Sequence, residues 1–383
     1  MRTPRRLVFA LLLFVVALAA FLLWWTHPKR PVNGSFVREA GTGTFKFTDI
    51  PRGRALGGDE VEGYARKLLG EMTLQQKVLQ MSGDSSIWDL IKLITVEKMK
   101  YNDYPITAGA DTRLAIPPIG FSDGPRGVVM NHSTAFPVAM ARGASWDRDL
   151  QRRFGDVVGK EIRAQGGTLW GGVCVNLLRH PSWGRAQETL GEDPYLLGEL
   201  SVASVEAVQA HNVMGCAKHY ALNSIEETRT KVDARVDERT LREVYLPHFE
   251  RLAAADVASF MSAYNKVNGD YCGESRHLLR EILKEEWGYR GFVMSDFFNG
   301  VYDGKKAALA GLDLEMPWTR AYGKTLVAAV EKGEVPLAVI DEAVLRLLRR
   351  KIEYATRPDP MAYTASLVRA PEHAALAREV AEK

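Results

Sequence analysis

Apolar residues follow two alternating rhythms along this chain. Short unbroken apolar runs at 118–121, 173–177, 213–217, 258–262 and 291–295 have the length and continuity of strands covered on both faces. Between them lie helical patterns at 147–165, 194–209, 237–254 and 275–287, where apolar positions recur every three or four residues. Local punctuation agrees with this division. Thr73 followed by Gln76 has the form of a capping box, and Asp193 before Pro194 is an N-cap followed by a first-position proline. Strand then helix, repeated across 59–358 with no Gly-x-Gly-x-x-Gly turn after any strand, predicts an α/β fold of the (β/α)8 TIM-like barrel type over a dinucleotide-binding sheet.

Ahead of the barrel the pattern changes twice. Arg2, Arg5 and Arg6 precede an apolar stretch, residues 7–25, that opens on Leu7 and closes on Trp24 and Trp25. As a helix it is long enough for a hydrocarbon core of about 30 Å, and its aromatic end suits the membrane interface. Bulky tryptophans stand where a cleavable signal peptide would carry small residues, so 1–27 reads as an uncleaved signal anchor that leaves the barrel exported, periplasmic or extracellular; a secreted form is the alternative. Residues 28–58, with Pro, Gly, Thr and Arg and little periodicity, read as a linker.

Composition narrows the function classes. With 46% hydrophobic and 25% charged residues the chain is that of a packed protein, and a net charge of +3 with interspersed lysines and arginines gives no footprint for nucleic acid. Cys174, Cys216 and Cys272 have no metal-ligand spacing and read as small buried hydrophobes, with one disulfide between Cys174 and Cys216 as the alternative. No cofactor or metal is implied.

Polar residues gather where the expected strands end, the face on which barrel enzymes carry their chemistry. Asp123 follows the first run, Lys218 and His219 the third, Tyr264 the fourth and Asp296 the fifth. Carboxylates, a lysine-histidine pair, an arginine and aromatic rings suit a polyol, and cleavage of a glycosidic bond needs two carboxyl groups.

The stretches DGPRGV, TAFPVAMARGASWD, PSWGRAQETLGEDP, CAKHYALNS, DERTLREVYLPHFE, SAYNKVNG, GFVMSDFF and AGLDLEMP, in this order, strongly resemble the amino-terminal barrel of glycoside hydrolase family 3. The resemblance implies retaining hydrolysis of terminal β-D-glucosyl residues through a covalent aspartyl intermediate. It makes Asp296 the nucleophile, ionised at neutral pH by its cationic neighbours, and gives Asp123, Arg185, Lys218 and His219 the sugar hydroxyls. Tyr264 would orient the nucleophile, and Phe297, where relatives carry tryptophan, would form a smaller wall. Structural readings compete at three positions: His219 bonding a strand carbonyl, Arg185 bracing Glu188, and Tyr264 packing as wall. Glu192 beside the helix cap, and the group Asn223, Glu226 and Arg229, read as structural.

The resemblance also implies an acid/base glutamate in a following domain, so 359–383 reads as a linker towards that domain and the chain as truncated before its proton donor. Glu188, Glu192, Glu226 and Glu315 are the carboxylic acids in the chain available as substitutes, with no feature singling one out. A β-xylosidase or β-galactosidase is the nearest alternative. An impaired sugar-binding barrel is a second, and a lyase with Lys218 as Schiff base a third. For the anchor, the expected outcome is an intact protein in the membrane fraction whose first residue is Met1. A soluble form starting between residues 26 and 40 would overturn it, and amino-terminal sequencing of the mature protein decides.

Overall fold

The computed structural model describes residues 45–85, 91 and 103–383. The apolar stretch 7–25 lies outside them. No helix among the described residues is long and apolar enough to cross a membrane.

Six strands form the main sheet: β1 (Ile106–Ala108), β2 (Ile119–Ser122), β3 (Leu169–Cys174), β4 (Met214–Tyr220), β6 (Ser259–Ser262) and β9 (Phe292–Met294), in that spatial order. A small satellite sheet holds β5 (Asp233–Ala234), β7 (Lys266–Val267) and β8 (Asp270–Tyr271). From β2 to β9 the pairing is parallel and every residue of these strands is buried, which is why apolar runs mark β2, β4, β6 and β9; β3 lies ahead of its expected run at 173–177 and shares only Val173 and Cys174 with it. The outer strands are linked through two further segments. Met294 pairs with Leu314 and Glu315 with Ser82, both in parallel, and Gly83 pairs with Ala108 of β1. The backbone hydrogen bonds Ser295 N to Leu314 O, Gly83 N to Glu315 O and Gly109 N to Ser82 O, at 2.8, 2.9 and 3.0 Å, run around this closure.

The expected all-parallel repeat fails at one place. β1 runs antiparallel to β2, and the connection 109–118 carries a bridge between Asp111 and Ile116 in place of a helix. Ten residues cannot hold the crossover that a parallel pair requires. The helices Arg148–Ala164 and Pro194–Gln209 stand where their patterns place them, each capped by its aspartate: Asp147 accepts from Leu150 N and Asp193 from Leu196 N. Thr73 and Gln76 form the reciprocal capping box. The pattern at 237–254 is not one α-helix. It divides into Glu238–Thr240, a π-helical turn Leu241–Tyr245, and Pro247–Ala254, because Pro247 has no N–H to continue the ladder.

Both expected linkers are partly built into the fold. Phe47 and Ile50 are buried in the core, so the packed structure starts well before residue 59. At the other end, Pro371–Glu382 is a helix that buries His373, Leu376 and Val380. Residues 359–383 run as a strap along Arg148–Ala164: Asp359 pairs with Arg163, His373 with Glu161, Glu379 with Arg153 and Lys383 with Asp147. The cysteines are free and buried. Cys174 stands opposite Lys218 and Cys216 opposite Ser259, a register that keeps the two apart and removes the disulfide alternative.

One buried ion pair fastens the closure. Lys284 Nζ donates to Gly311 O at 2.6 Å and to the two carboxylate oxygens of Asp313 at 2.7 and 2.8 Å, and Asp313 Oδ2 also accepts from Val293 N at 2.8 Å. All three ammonium hydrogens are thereby used. Removing one partner of such a pair leaves an uncompensated buried charge, so Lys284→Ala is expected to cost about 3–5 kcal/mol in urea unfolding. Lys284→Met combined with Asp313→Asn should cost less than that single change. A loss below about 1 kcal/mol for Lys284→Ala would mean that water replaces the pair.

Candidate active site

A cavity of about 210 Å³ opens beside the strand ends, lined by Phe121, Asp123, Arg185, Lys218, His219, Arg229, Met261, Tyr264, Asp296, Phe297 and Phe298. All seven site residues expected from the sequence are among them. Each arrives on a strand end or on the loop that follows. Asp123 comes directly after β2, Lys218 and His219 stand near the end of β4, Tyr264 follows β6, and Asp296 follows β9 by two residues. Arg185 lies in the loop after β3, at the start of the short 3₁₀ turn Ala186–Glu188.

The charges are arranged as pairs. Lys218 Nζ donates to Asp123 Oδ1 at 2.6 Å. Burial works against the Lys218 ammonium, but Asp123 outweighs it and holds its pKa above the ordinary lysine value. An ammonium held in this way is a poor amine nucleophile, which weighs against the Schiff-base alternative. Arg185 Nε and Nη2 grip Glu188 at 3.0 and 2.8 Å, so the bracing reading holds while the same guanidinium also lines the cavity.

His219 is neutral, and its tautomer follows from its neighbour. The Asn176 amide is oriented by two main-chain groups: its Oδ1 accepts from His219 N at 2.9 Å and its Nδ2 donates to His219 O at 2.8 Å. The oxygen therefore faces His219 Nδ1 at 3.1 Å, and Nδ1 carries the hydrogen. Burial, with Arg185, Lys218 and Arg229 nearby, drives the imidazole pKa well below its ordinary value. Nε2 is thus a bare acceptor, 3.6 Å from Asp296 Oδ2. That distance is no hydrogen bond, and with neutral imidazole it is no ion pair. A ligand hydroxyl is the donor this pair of acceptors lacks.

Asp296 is buried, with Oδ1 accepting from Phe297 N at 2.7 Å and Oδ2 without a hydrogen-bond partner. Burial raises its pKa above the ordinary aspartate value, against the opposing pull of Arg185 and Lys218. The cationic neighbours expected to keep it ionised are present, but desolvation is the larger effect. The turn after Asp296 is tight: a Cβ on Gly300 would lie 2.2 Å from Asp296 O, so only glycine fits. Tyr264 donates to Phe297 O at 2.7 Å. Phe297 packs on Phe121 at 4.8 Å between ring centroids.

Of the substitute acids, none lines the cavity. Glu188 is held by Arg185 and Glu226 by Arg229, Glu315 accepts from the backbone of Arg320, Ala321 and Tyr322, and Glu192 is exposed. The sequence reading missed Phe121, Met261, Phe298 and Arg229 as lining residues. Phe121 was recoverable, because it stands two positions before Asp123 and strand alternation puts both on one face.

The family model described as "Glycosyl hydrolase family 3 N terminal domain" matches residues 92–350. This chain belongs to glycosyl hydrolase family 3. Curated relatives in the family include thermostable beta-glucosidase B of Acetivibrio thermocellus, 38% identical over 299 residues, covering 74% of this chain and 37% of the relative. A beta-glucosidase of Rhizobium radiobacter is 37% identical over 326 residues, covering 82% of this chain and 37% of the relative. Among solved structures, beta-glucosidase 3B of Thermotoga neapolitana in complex with glycerol superposes with a TM-score of 0.73 at 30% identity, covering 82% of this chain and 46% of that one. DesR, a beta-glucosidase from Streptomyces venezuelae in complex with D-glucose, gives 0.72 at 31% identity, with coverages of 83% and 41%. This family 3 chain spans less than half the length of each.

A carboxyl whose folded pKa lies above its unfolded one costs stability once pH rises past the unfolded value, and the cost is complete above the folded value. Asp296→Asn is therefore expected to raise stability at neutral pH by about 0.5–2 kcal/mol. The gain should vanish below pH 3.8, the ordinary aspartate value. Thermal melts of both proteins across pH test this, and equal melting temperatures at neutral pH would show that desolvation of Asp296 is compensated.

Proposed function

We propose that this barrel carries out retaining hydrolysis of terminal β-D-glucosides, with Asp296 as nucleophile. The observation that carries the reading is the buried Asp296 oxygen that has no partner, facing a cavity whose cations are committed to other carboxylates. In the first step Asp296 Oδ2 forms a bond to the anomeric carbon as the bond from that carbon to the leaving oxygen breaks, its electron pair departing with the aglycone. In the second, water adds to the anomeric carbon, Asp296 leaves as carboxylate, and the proton lost by the water passes to solvent or to a base outside the cavity lining. Asp123 and Lys218 bind the sugar as a joined acceptor and donor, Arg185 donates beside them, and His219 Nε2 accepts a hydroxyl hydrogen. Tyr264 holds the Phe297 carbonyl, and Phe297 forms one wall. The named activity of the relatives supports the glucoside. The amino-terminal apolar stretch supports a location on the outer side of a membrane.

A second reading, a sugar-binding barrel without efficient turnover, is favoured by one observation. Among the described residues lining the cavity the carboxylates are Asp296 and Asp123, and Asp123 is bound to Lys218. On our reading the proton for the leaving oxygen comes from a group outside this lining set. Dinitrophenolate leaves without that proton and an alkyl alcohol does not.

The chain is thus expected to release dinitrophenol from 2,4-dinitrophenyl β-glucoside while hydrolysing cellobiose about 10² to 10⁴ times more slowly than a relative with its acid in place. Intact mass should show one hexosyl group on the peptide containing Asp296, absent from Asp296→Ala, and azide should speed its release. Folded protein that gives neither phenol nor adduct would leave the binding reading. Efficient cellobiose hydrolysis without an azide effect would place a proton donor inside the cavity.

A further inference from the structure

Arg229 lines the cavity, yet its contacts lead away from the space a sugar would fill. Its Nη1 donates to Glu226 Oε1 at 2.5 Å, and its backbone N donates to Glu226 O at 3.2 Å, so both ends of the residue are tied to one turn. That turn is itself packed: a Cβ on Gly184 would meet the Glu226 stem at 3.2 and 3.3 Å. The guanidinium carbon lies 4.6 Å from the centroid of the Tyr264 ring, within cation–π range. Tyr264 in turn donates to Phe297 O, and Phe297 N donates to Asp296 Oδ1, both at 2.7 Å. Phe297 is therefore pinned at its carbonyl by Tyr264, together with Asn299 N at 2.8 Å, and hands that fixity to the carboxylate through its amide.

We infer that Arg229, anchored by Glu226, is a positioning residue for Asp296 that acts through the Tyr264 ring. The inference rests on the nucleophile assignment above. The cations that most oppose the rise in the Asp296 pKa are Arg185 and Lys218. What Arg229 supplies is a fixed cation over the Tyr264 ring. The Asp296 carboxylate is held by Phe297 N at Oδ1 and stabilised by the Tyr264 hydroxyl beside it, so its torsion depends on where the Tyr264 ring stands. Loosening Tyr264 lets Phe297 move and turns Oδ2 away from the line of attack on the anomeric carbon, with no sugar contact removed.

The test uses the whole chain with Arg229→Met, which keeps the stem and loses the planar cation, and Arg229→Lys, which keeps the charge and loses the plane. Matching thermal melts establish that both fold. Stopped-flow release of dinitrophenol from 2,4-dinitrophenyl β-glucoside should fall roughly 10- to 100-fold in Arg229→Met and by an intermediate factor in Arg229→Lys. Calorimetric affinity for D-glucose should change less than about 3-fold. In a Tyr264→Phe background, which lacks the hydroxyl bond to Phe297, adding Arg229→Met should cost little more, the non-additivity expected of residues acting in series. An unchanged release rate, or a loss of glucose affinity equal to the loss in rate, overturns the inference and leaves the nucleophile assignment standing. If the unaltered protein itself releases no dinitrophenol, the functional reading fails, and a crystal structure of Arg229→Met decides the positional claim. The bond between Tyr264 and Phe297 is expected to be lost there; its survival at the original length overturns the inference.

Discussion

The buried pair of Lys284 and Asp313 is the constraint on which the placement of the site depends. It fixes the chain around Leu314 beside β9, and the same carboxylate holds the backbone of Val293 in that strand. Once the seam is fixed, Ser295 N reaches Leu314 O and Met316 N reaches Ser295 Oγ, so the residue before the proposed nucleophile is held from both sides. Glu315 then pairs with the segment at Ser82, which completes the ring through β1. A polar pair in a dry interior adds little net stability over apolar packing, but it tolerates fewer alternative registers. Here the register it selects is the one that delivers Asp296 to the cavity.

Within that frame the site works by subtraction. Lys218 is occupied by Asp123, Arg185 by Glu188 and Arg229 by Glu226, so each cation has a carboxylate of its own. What remains uncommitted are acceptors: Asp296 Oδ2 and the bare Nε2 of His219. Acceptors that no protein donor meets suit a ligand rich in hydroxyl hydrogens.

Much of this was legible in the sequence because parallel strands covered on both faces leave continuous apolar runs, and because capping residues mark helix starts. The helices opened by Asp147 and Asp193 needed nothing beyond their caps and periodicity. The antiparallel β1 was not legible: its three residues carry too little pattern, and its direction follows from a ten-residue connection too short for a crossover. The break before Pro247 was visible as a proline, yet the surrounding periodicity outvoted it. At the site, residues reaching the cavity from strand ends announced themselves, whereas Arg229 sits in a loop and its contact with Tyr264 exists only in three dimensions. The tautomer of His219 was equally hidden, since it depends on which way the Asn176 amide faces.

The three free cysteines lie on or beside the central strands, with Cys216 and Cys272 fully enclosed and Cys174 nearly so. Burial lifts all three thiols far from the thiolate, Cys216 and Cys272 to about 12. Reagents that alkylate thiolates can therefore reach them only when the surrounding wall opens. Cys174 donates to Glu188 beneath Arg185, whereas Cys272 donates to Ala221 O just past the end of β4. The chain thus carries native reporters of breathing motions at separate points of the barrel wall, readable by labelling kinetics without introducing any probe.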